Sequence, residues 1–153
     1  MGRSEMDTAI VRKMTQADLE AVMEVEHSSF TVPWTKETFV NEMEINRYAH
    51  YFVIEKDQNV VGYCGLWVII DEAHITNIAI LPEYRGKEYG SFLLEHVIQY
   101  ARDMGAIQIS LEVRVSNMAA QRMYRRFGMV PGGVRKNYYT DDGEDALVMW
   151  VKL

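Results

Sequence analysis

The feature that most constrains this chain is a glycine-containing loop between an apolar strand and an amphipathic helix. The strand-like segment 75–80 leads into the loop at residues 81–90, and the pattern predicts a helix from Ser91 to Met104. Apolar residues recur along that helix as one stripe, so one face can pack on a sheet. The stripe consists of Phe92, Leu93, Val97, Tyr100, Ala101 and Met104. The loop therefore joins a strand to a helix that covers the sheet.

The loop also has the composition of an anion-binding site. A helix start presents unpaired backbone N–H groups and a partial positive charge, and Gly86 and Gly90 let the backbone approach a bound anion. Arg85 and Lys87 add full positive charges. The spacing matches neither the Rossmann fingerprint nor the P-loop, since both the glycine triplet and the closing Gly-Lys-Ser/Thr are absent. On these residues alone, pyrophosphate binding and an ordinary strand-to-helix turn are equally good interpretations.

A second motif carries two candidate catalytic residues. Residues 107–115 alternate between apolar and polar, which places Glu112 and Arg114 on the polar face of a strand. Ligands commonly bind at the carboxyl ends of strands in open α/β sheets. A helix follows, with Asn117 at its start and Tyr124 within it. By themselves these residues allow either a general base or a carboxylate paired with Arg114, and they favour a core position for Tyr124.

The order of these motifs resembles the GCN5-related N-acetyltransferase (GNAT) superfamily. The matching segments are the glycine loop, Leu-Glu-Val-Arg-Val-Ser-Asn at 111–117 and Met-Tyr-Arg-Arg-Phe-Gly at 123–128. Within the superfamily, Pro33-Trp34 and Arg-Lys-Asn-Tyr-Tyr at 135–139 are similar to the RimI group, which acetylates the N-terminal alanine of a small-subunit ribosomal protein. The resemblance covers nearly the whole chain. It implies an N-acetyltransferase that uses acetyl-coenzyme A. The four histidines show no metal-ligand spacing, so no metal is expected.

The resemblance also implies roles for individual residues. Glu112 would be the general base and Tyr124 the general acid, with direct attack of the amine on the thioester. Backbone N–H groups near residues 78–80 would stabilise the thioester oxygen. The implied coenzyme-binding residues are Ile78, Ala79, Ile80, Arg85, Gly86, Lys87, Glu88, Tyr89, Gly90, Ser91 and Asn117, and the implied peptide-binding residues are Pro33, Trp34, Asn137, Tyr138 and Tyr139. For His74, on the strand before the coenzyme edge, an ordinary strand histidine is favoured over a proton relay.

One residue departs from the superfamily pattern. Glu88 stands where glycine is usual, while Arg85 and Gly90 match. A carboxylate near a pyrophosphate repels it, and a side chain restricts the backbone. Two expectations follow: either coenzyme binding is weakened, or Glu88 points to solvent and pairs with Lys87 or Arg85. The second is favoured.

The patterns and the resemblance together predict one GNAT-like domain over residues 1–153, of the α/β (α+β) class. The sheet is expected to be mixed and mostly antiparallel, with about six to seven strands, one central parallel pair and about four flanking helices. The parallel pair follows because a helix lies between the strand at 75–80 and the strand at 107–115. The last two strands are predicted near 134–139 and 146–151. Met6 is a candidate natural start, which would make residues 1–5 a remnant or a disordered end.

Composition narrows the class of partner. The net charge of −6 argues against nucleic-acid binding and suits a basic protein such as a ribosomal protein, although solubility alone is the favoured reason for such charge. The single cysteine, Cys64, excludes an internal disulfide and a cysteine-based metal site. The longest apolar runs are too short to span a membrane. We therefore expect a cytoplasmic protein, monomeric or weakly dimeric, that does not bind membranes.

The sequence leaves three functions open. The leading one is acetylation of a protein N-terminus. The second is acetylation of a small amine such as a polyamine or an aminoglycoside, against which the Asn-Tyr-Tyr segment at 137–139 speaks mildly. The third is a non-catalytic coenzyme-binding module, suggested by Glu88. The presence of both Glu112 and Tyr124 argues against this third function.

Overall fold

Strands and helices follow one another along the chain largely as the patterns predict. The structure, a computed structural model, describes residues 8–153, so the expectations for residues 1–5 and Met6 lie outside the described part. The elements are β1 (Ala9–Lys13), α1 (Leu19–Ser29), α2 (Lys36–Glu44), β2 (Ala49–Lys56), β3 (Asn59–Ile69), β4 (Glu72–Ile80), α3 (Tyr89–Asp103), β5 (Gln108–Arg114), α4 (Met118–Arg126), β6 (Val130–Arg135) and β7 (Ala146–Lys152). β6 lies earlier than the predicted 134–139. Asn137, left-handed with φ of 51°, lies beyond its end, and Tyr138 and Tyr139 fall in the following loop.

The seven described strands form one sheet in the order β1-β2-β3-β4-β5-β7-β6. Each neighbouring pair is antiparallel except β4 and β5. These two are parallel because α3 carries the chain back across the sheet between them. The predicted mixed sheet with one central parallel pair and four helices is confirmed.

Two apolar clusters hold the helices to opposite faces of the sheet. α3 and α4 pack on one face, where Leu93 and Tyr124 are buried. α1 and α2 pack on the other face over β2, β3 and β4, where Phe39 and Tyr63 are buried. Within residues 8–153, this second cluster includes no residue of β5, β6 or β7. The polar side chains of β5 therefore face a surface that no helix covers.

Cys64 is buried within the sheet and forms no disulfide. Burial raises the pKa of its thiol, as expected for an inert core residue. In the described part of the chain, histidine, cysteine and acidic side chains form no group of three that could hold a metal ion. Over the same residues, no helix is both long and apolar enough to cross a membrane.

Candidate active site

The candidate site lies where β4 and β5 separate. Their pairing covers only residues 72–74 of β4 and 108–110 of β5. Beyond these residues β4 stays paired with β3 as far as Ile80, and β5 stays paired with β7. The sheet therefore opens between β4 and β5, while β3 and β7 hold the other edge of each strand.

Two backbone amides of β4 face this opening. The N–H of Leu81 donates to the carbonyl of Val61 at 2.8 Å. Bonded and non-bonded pairs alternate along an antiparallel ladder, so Ile78 and Ile80 direct their N–H groups away from β3. A cleft of about 540 Å³ occupies the opening, and residues 78–80 line it. These amides lie in the segment to which the family resemblance assigns binding of the thioester oxygen.

The start of α3 forms a second wall of the cleft. No side chain caps this helix, and its first internal bond runs from the N–H of Phe92 to the carbonyl of Glu88 at 3.0 Å. The amides of Gly90 and Ser91 consequently lack an acceptor within the helix. From α4, Nη2 of Arg126 donates to the Ser91 hydroxyl at 3.1 Å. Amide donors and a cation thus converge at a helix start, which is the arrangement that binds phosphates.

Most of the predicted coenzyme-binding residues meet in this cleft. Those that line it are Ile78, Ala79, Ile80, Arg85, Gly86, Glu88, Gly90, Ser91 and Asn117. Lys87 and Tyr89 do not line it, and the Tyr89 ring is buried in the core, 5.6 Å from the ring of Tyr84. Asn117 also caps α4, because its side chain accepts the Ala120 N–H at 3.1 Å. The same residue is therefore both a helix cap and a cleft residue.

The arginines of the cleft differ from the expected set. Arg85 spans the loop, donating to the carbonyl of Ile80 at 2.8 Å and to the hydroxyl of Ser29 at 3.0 Å. Arg122 and Arg126 of α4 line the cleft and are not among the predicted residues. Their i, i+4 spacing shows that they share a helix face. Which way that face points depends on how α4 packs, so the sequence alone does not place them at the site.

Glu88 is exposed, and its nearest cation is not one of the predicted partners. Its side chain is 70% exposed, and Oε2 lies 4.0 Å from Nη2 of Arg126 rather than pairing with Lys87 or Arg85. The backbone of Glu88 is left-handed, with φ of 72°. That conformation costs an L-residue about 1 kcal/mol, which explains why glycine is the usual residue here. The departure from the family pattern therefore has both a backbone and a charge consequence.

Glu112 lies on the open face, just past the last residue of β5 that pairs with β4. Its Oε1 is 2.8 Å from Nε2 of His74, and its Oε2 is 3.5 Å from Nε of Arg135. Burial by itself raises the pKa of Glu112, but His74, the charge of Arg135 and the hydroxyl of Tyr138 outweigh it, so the pKa is lowered. Glu112 is therefore ionised at neutral pH, and His74 is its direct partner rather than an isolated strand histidine.

Arg114, the alternative partner of Glu112, is held elsewhere. Its guanidinium binds three carboxylates of the β6–β7 loop and lies 4.0 Å from the ring centroid of Tyr139. The carboxylates are those of Asp141 at 2.8 Å, Asp142 at 3.1 Å and Glu144 at 3.0 Å. The hydroxyl of Thr31 donates to Asp141, so this loop contacts the segment between α1 and α2. Arg114 thus holds the β6–β7 loop in place and does not pair with Glu112, which contacts His74 instead.

Tyr124 is at once a core residue and a cleft residue. It is 5% exposed and belongs to the cluster beneath α3 and α4, yet it lines the cleft. Burial raises the pKa of its phenol, so the hydroxyl stays protonated. Within residues 8–153 that hydroxyl makes no hydrogen bond. The core interpretation and the catalytic interpretation are therefore compatible.

A buried carboxylate ties the predicted peptide-binding segment to β4. Glu26 of α1 accepts the N–H of Trp34 at 2.7 Å and the hydroxyl of Tyr63. Asn77 of β4 in turn donates to the Tyr63 hydroxyl at 2.6 Å. The Trp34 ring packs 5.2 Å from that of Phe39 and, like Pro33, does not line the cleft. The α1–α2 segment is therefore anchored to the strand that opens the sheet.

Glu26→Gln is expected to change how stability depends on pH. Burial raises the pKa of Glu26, although the Trp34 N–H and the Tyr63 hydroxyl oppose the shift. A raised pKa contributes stability below the unfolded value of about 4.3, and this contribution is lost as pH rises through the folded pKa. Relative to the variant, the wild-type free energy of unfolding should fall by up to about 1.4 kcal/mol per pH unit in that window.

Urea unfolding of both proteins at pH 5 and pH 8 measures this difference. Glu95→Gln, which removes an exposed carboxylate on α3, is the matched control and should show no such trend. A stability difference between wild type and Glu26→Gln that is the same at both pH values would contradict the prediction.

The sheet opens at its parallel pair, with a helix start suited to phosphate on one side and the Glu112–His74 pair on the other. These are the parts that an enzyme of group transfer requires. Sequence comparison identifies which one: residues 19–129 match the acetyltransferase (GNAT) family. The chain belongs to this family and is an N-acetyltransferase.

Individual relatives agree with this assignment. A Bacillus subtilis protein named "Putative ribosomal protein bS18-alanine N-acetyltransferase" is 56% identical over 145 residues, covering 95% of this chain and 96% of the relative. The crystal structure of the Escherichia coli ribosomal-protein-S18-alanine N-acetyltransferase has a TM-score of 0.86 and 32% identity, covering 94% and 93% of the two chains. The PaiA N-acetyltransferase of Thermoplasma acidophilum, solved with coenzyme A, shares the fold at 21% identity and a TM-score of 0.80, covering 95% and 99%. The RimI-type resemblance is confirmed.

Proposed function

We propose that this protein transfers acetyl from acetyl-coenzyme A to the N-terminal alanine of ribosomal protein bS18, and that it does so in the cytoplasm. One observation carries the chemistry: Glu112 and His74 pair at 2.8 Å where β4 and β5 part, next to a cleft that Tyr124 lines. The names of the relatives support the substrate. The uncovered face of β5 to β7 gives a polypeptide room to approach Glu112, and a net charge of −6 suits a basic one.

We assign the coenzyme to the cleft beside α3 and α4. Its volume of about 540 Å³ lies within the usual range for ligand pockets. The amides of Gly90 and Ser91, with Arg122 and Arg126, would hold the pyrophosphate. When bound there, acetyl-coenzyme A supplies the acetyl group as an activated thioester. The donor set fits a diphosphate because it combines backbone N–H groups with two cations.

Glu88→Gly is expected to tighten coenzyme A binding by about two- to fivefold. The variant removes a carboxylate that competes with phosphate for Arg126, 4.0 Å away, and it relieves the left-handed backbone. Titration calorimetry at low and at high salt measures the dissociation constant. Glu88→Gln separates the two effects because it removes the charge and keeps the side chain. An unchanged dissociation constant in both variants would mean that Glu88 does not influence the phosphates.

We assign proton removal to the Glu112–His74 pair. A peptide α-amine has a pKa near 8 and arrives mostly protonated. Because the pKa of Glu112 is lowered, it lies below the pKa of the amine, and transfer of the proton to Glu112 is uphill. The proton must therefore move on to water, because Nε2 of His74, 2.8 Å away, donates its N–H to the ionised carboxylate. Glu112 is then the first proton acceptor, and His74 holds its carboxylate in position.

The remaining steps use groups on the cleft side. The amides of Ile78 and Ile80 would stabilise negative charge on the acetyl oxygen. Tyr124, held protonated by its raised pKa, would donate a proton to the departing sulfur. Direct attack by the amine suits this chain because its only cysteine, Cys64, is a buried thiol whose pKa is raised.

Coenzyme A release combined with mass analysis tests the function. Purified protein and acetyl-coenzyme A are mixed with a basic peptide that begins with alanine, with an N-terminally blocked copy, and with spermidine. Acetylation of the free-ended peptide alone is expected. Turnover of spermidine alone would replace the proposal with a small-amine acetyltransferase. Coenzyme binding without any turnover would indicate a binding module.

A further inference from the structure

A second, smaller pocket adjoins the Glu112–His74 pair, and none of the roles above uses it. It measures about 210 Å³, and its walls include Trp67, Glu72, His74, Gln108 and Ser110. His74 belongs both to this pocket and to the pair, where it lies 2.8 Å from Glu112. The pocket is therefore the immediate neighbour of the place where a substrate amine would react.

The pocket lies on the substrate face at a distance that a peptide can span. Gln108, Ser110 and Glu112 share one face of β5 because side chains alternate along a strand. Same-face neighbours are about 7 Å apart, so the pocket extends from about 7 to 13 Å beyond Glu112. An extended peptide advances about 3.4 Å per residue. When the α-amine of such a peptide lies at Glu112, the side chains of its residues 2–4 can reach the pocket.

The chemistry of the walls favours a flat cation. The Trp67 indole is held in place because its Nε1 donates to Glu42 at 2.9 Å. Glu72 accepts only a long bond from Gln108 at 3.3 Å, and no lysine or arginine among residues 8–153 pairs with it. Asp71 adds a neighbouring negative charge. An aromatic face beside a carboxylate that forms no ion pair within residues 8–153 complements a guanidinium, which can stack on the ring and form an ion pair at once.

We propose that this pocket binds an arginine side chain from one of residues 2–4 of the protein substrate. The stem lies against Trp67, the guanidinium meets Glu72, and the Ser110 hydroxyl, which makes no hydrogen bond within the described chain, accepts a further N–H. This inference rests on the proposed acetylation of a protein N-terminus. It adds the residues by which the enzyme distinguishes one N-terminus from another.

A peptide panel tests the pocket. Each peptide begins with alanine and carries one arginine at position 2, 3 or 4 in an otherwise uncharged sequence, with glutamine at the same position in its partner. Arginine is used because its side chain is not itself acetylated. In one of these positions, arginine is expected to lower KM about fivefold relative to glutamine, with kcat changed little. The preference should shrink at high salt.

Glu72→Gln should reduce the arginine preference to about twofold or less, and Glu72→Lys should remove it. Glu95→Gln, which removes one exposed carboxylate on the opposite side of the sheet, is the matched control and should keep the preference. If Glu95→Gln also loses the arginine preference, or if Glu72→Lys keeps it, the assignment of arginine binding to this pocket is wrong. If wild type acetylates none of the peptides, the proposed function fails and the pocket assignment fails with it.

Discussion

Glu112→Gln is expected to lower kcat by about 10²- to 10⁴-fold, the range for loss of a positioned general base. The amide keeps the size of the side chain, but it accepts a proton far less readily than the carboxylate that His74 contacts at 2.8 Å. Coenzyme affinity should stay unchanged, because Glu112 lies on the opposite face from the α3 start and does not line the coenzyme cleft. Steady-state kinetics with a peptide, together with a coenzyme A titration, measure the two quantities separately.

A control variant separates catalysis from a general loss of negative charge. Glu95→Gln changes the net charge by the same amount and should leave kcat unaltered. His74→Asn tests how the carboxylate is positioned: it should lower kcat less than Glu112→Gln does, since the base itself is retained. An unchanged turnover rate in Glu112→Gln would remove Glu112 as the base.

Tyr124→Phe is expected to lower kcat by about 10²-fold through loss of the acid that protonates the leaving sulfur. The ring packing is retained, and the hydroxyl makes no hydrogen bond within residues 8–153, so the free energy of unfolding should change by less than about 1 kcal/mol. Kinetics and urea unfolding of the same preparation measure both effects.

Tyr100→Phe is the matched control for the loss of one phenol hydroxyl. Tyr100 lies on α3 and bonds to His50 at 3.0 Å, away from the cleft. This variant should lose some stability and keep its rate, which is the reverse of Tyr124→Phe. A Tyr124→Phe enzyme with full turnover would leave Tyr124 as a core residue only.

Several properties of the site follow from short stretches of chain. Alternation over residues 107–115 puts Glu112 on the polar face, and the structure has it there. The glycine loop predicts a helix start with available amides, and α3 begins as that pattern requires, although at Tyr89 rather than Ser91. Both properties depend on the backbone period and on neighbours in sequence, which is why a sequence pattern contains them.

The partners of these residues come from far along the chain. His74 and Glu112 are separated by 38 positions, and Arg126 and Ser91 by 35. Their meeting depends on β4 lying beside β5 and on how α4 packs over the α3 start. No local period encodes such contacts, so neither the Glu112–His74 pair nor the arginines of α4 could be placed at the site from the sequence.

Glu88 shows what a local sequence pattern predicts and what only the tertiary contacts reveal. The superfamily pattern has glycine at its position, and the left-handed φ of 72° gives the physical reason. Its ionic neighbour is Arg126, not the adjacent Lys87 or Arg85. The sequence by itself determined the strand faces, the helix start and the family, because these follow from local periodicity and motif order. The tertiary structure alone decided which charges meet, because that depends on the order of strands in the sheet and on how the helices pack over its faces.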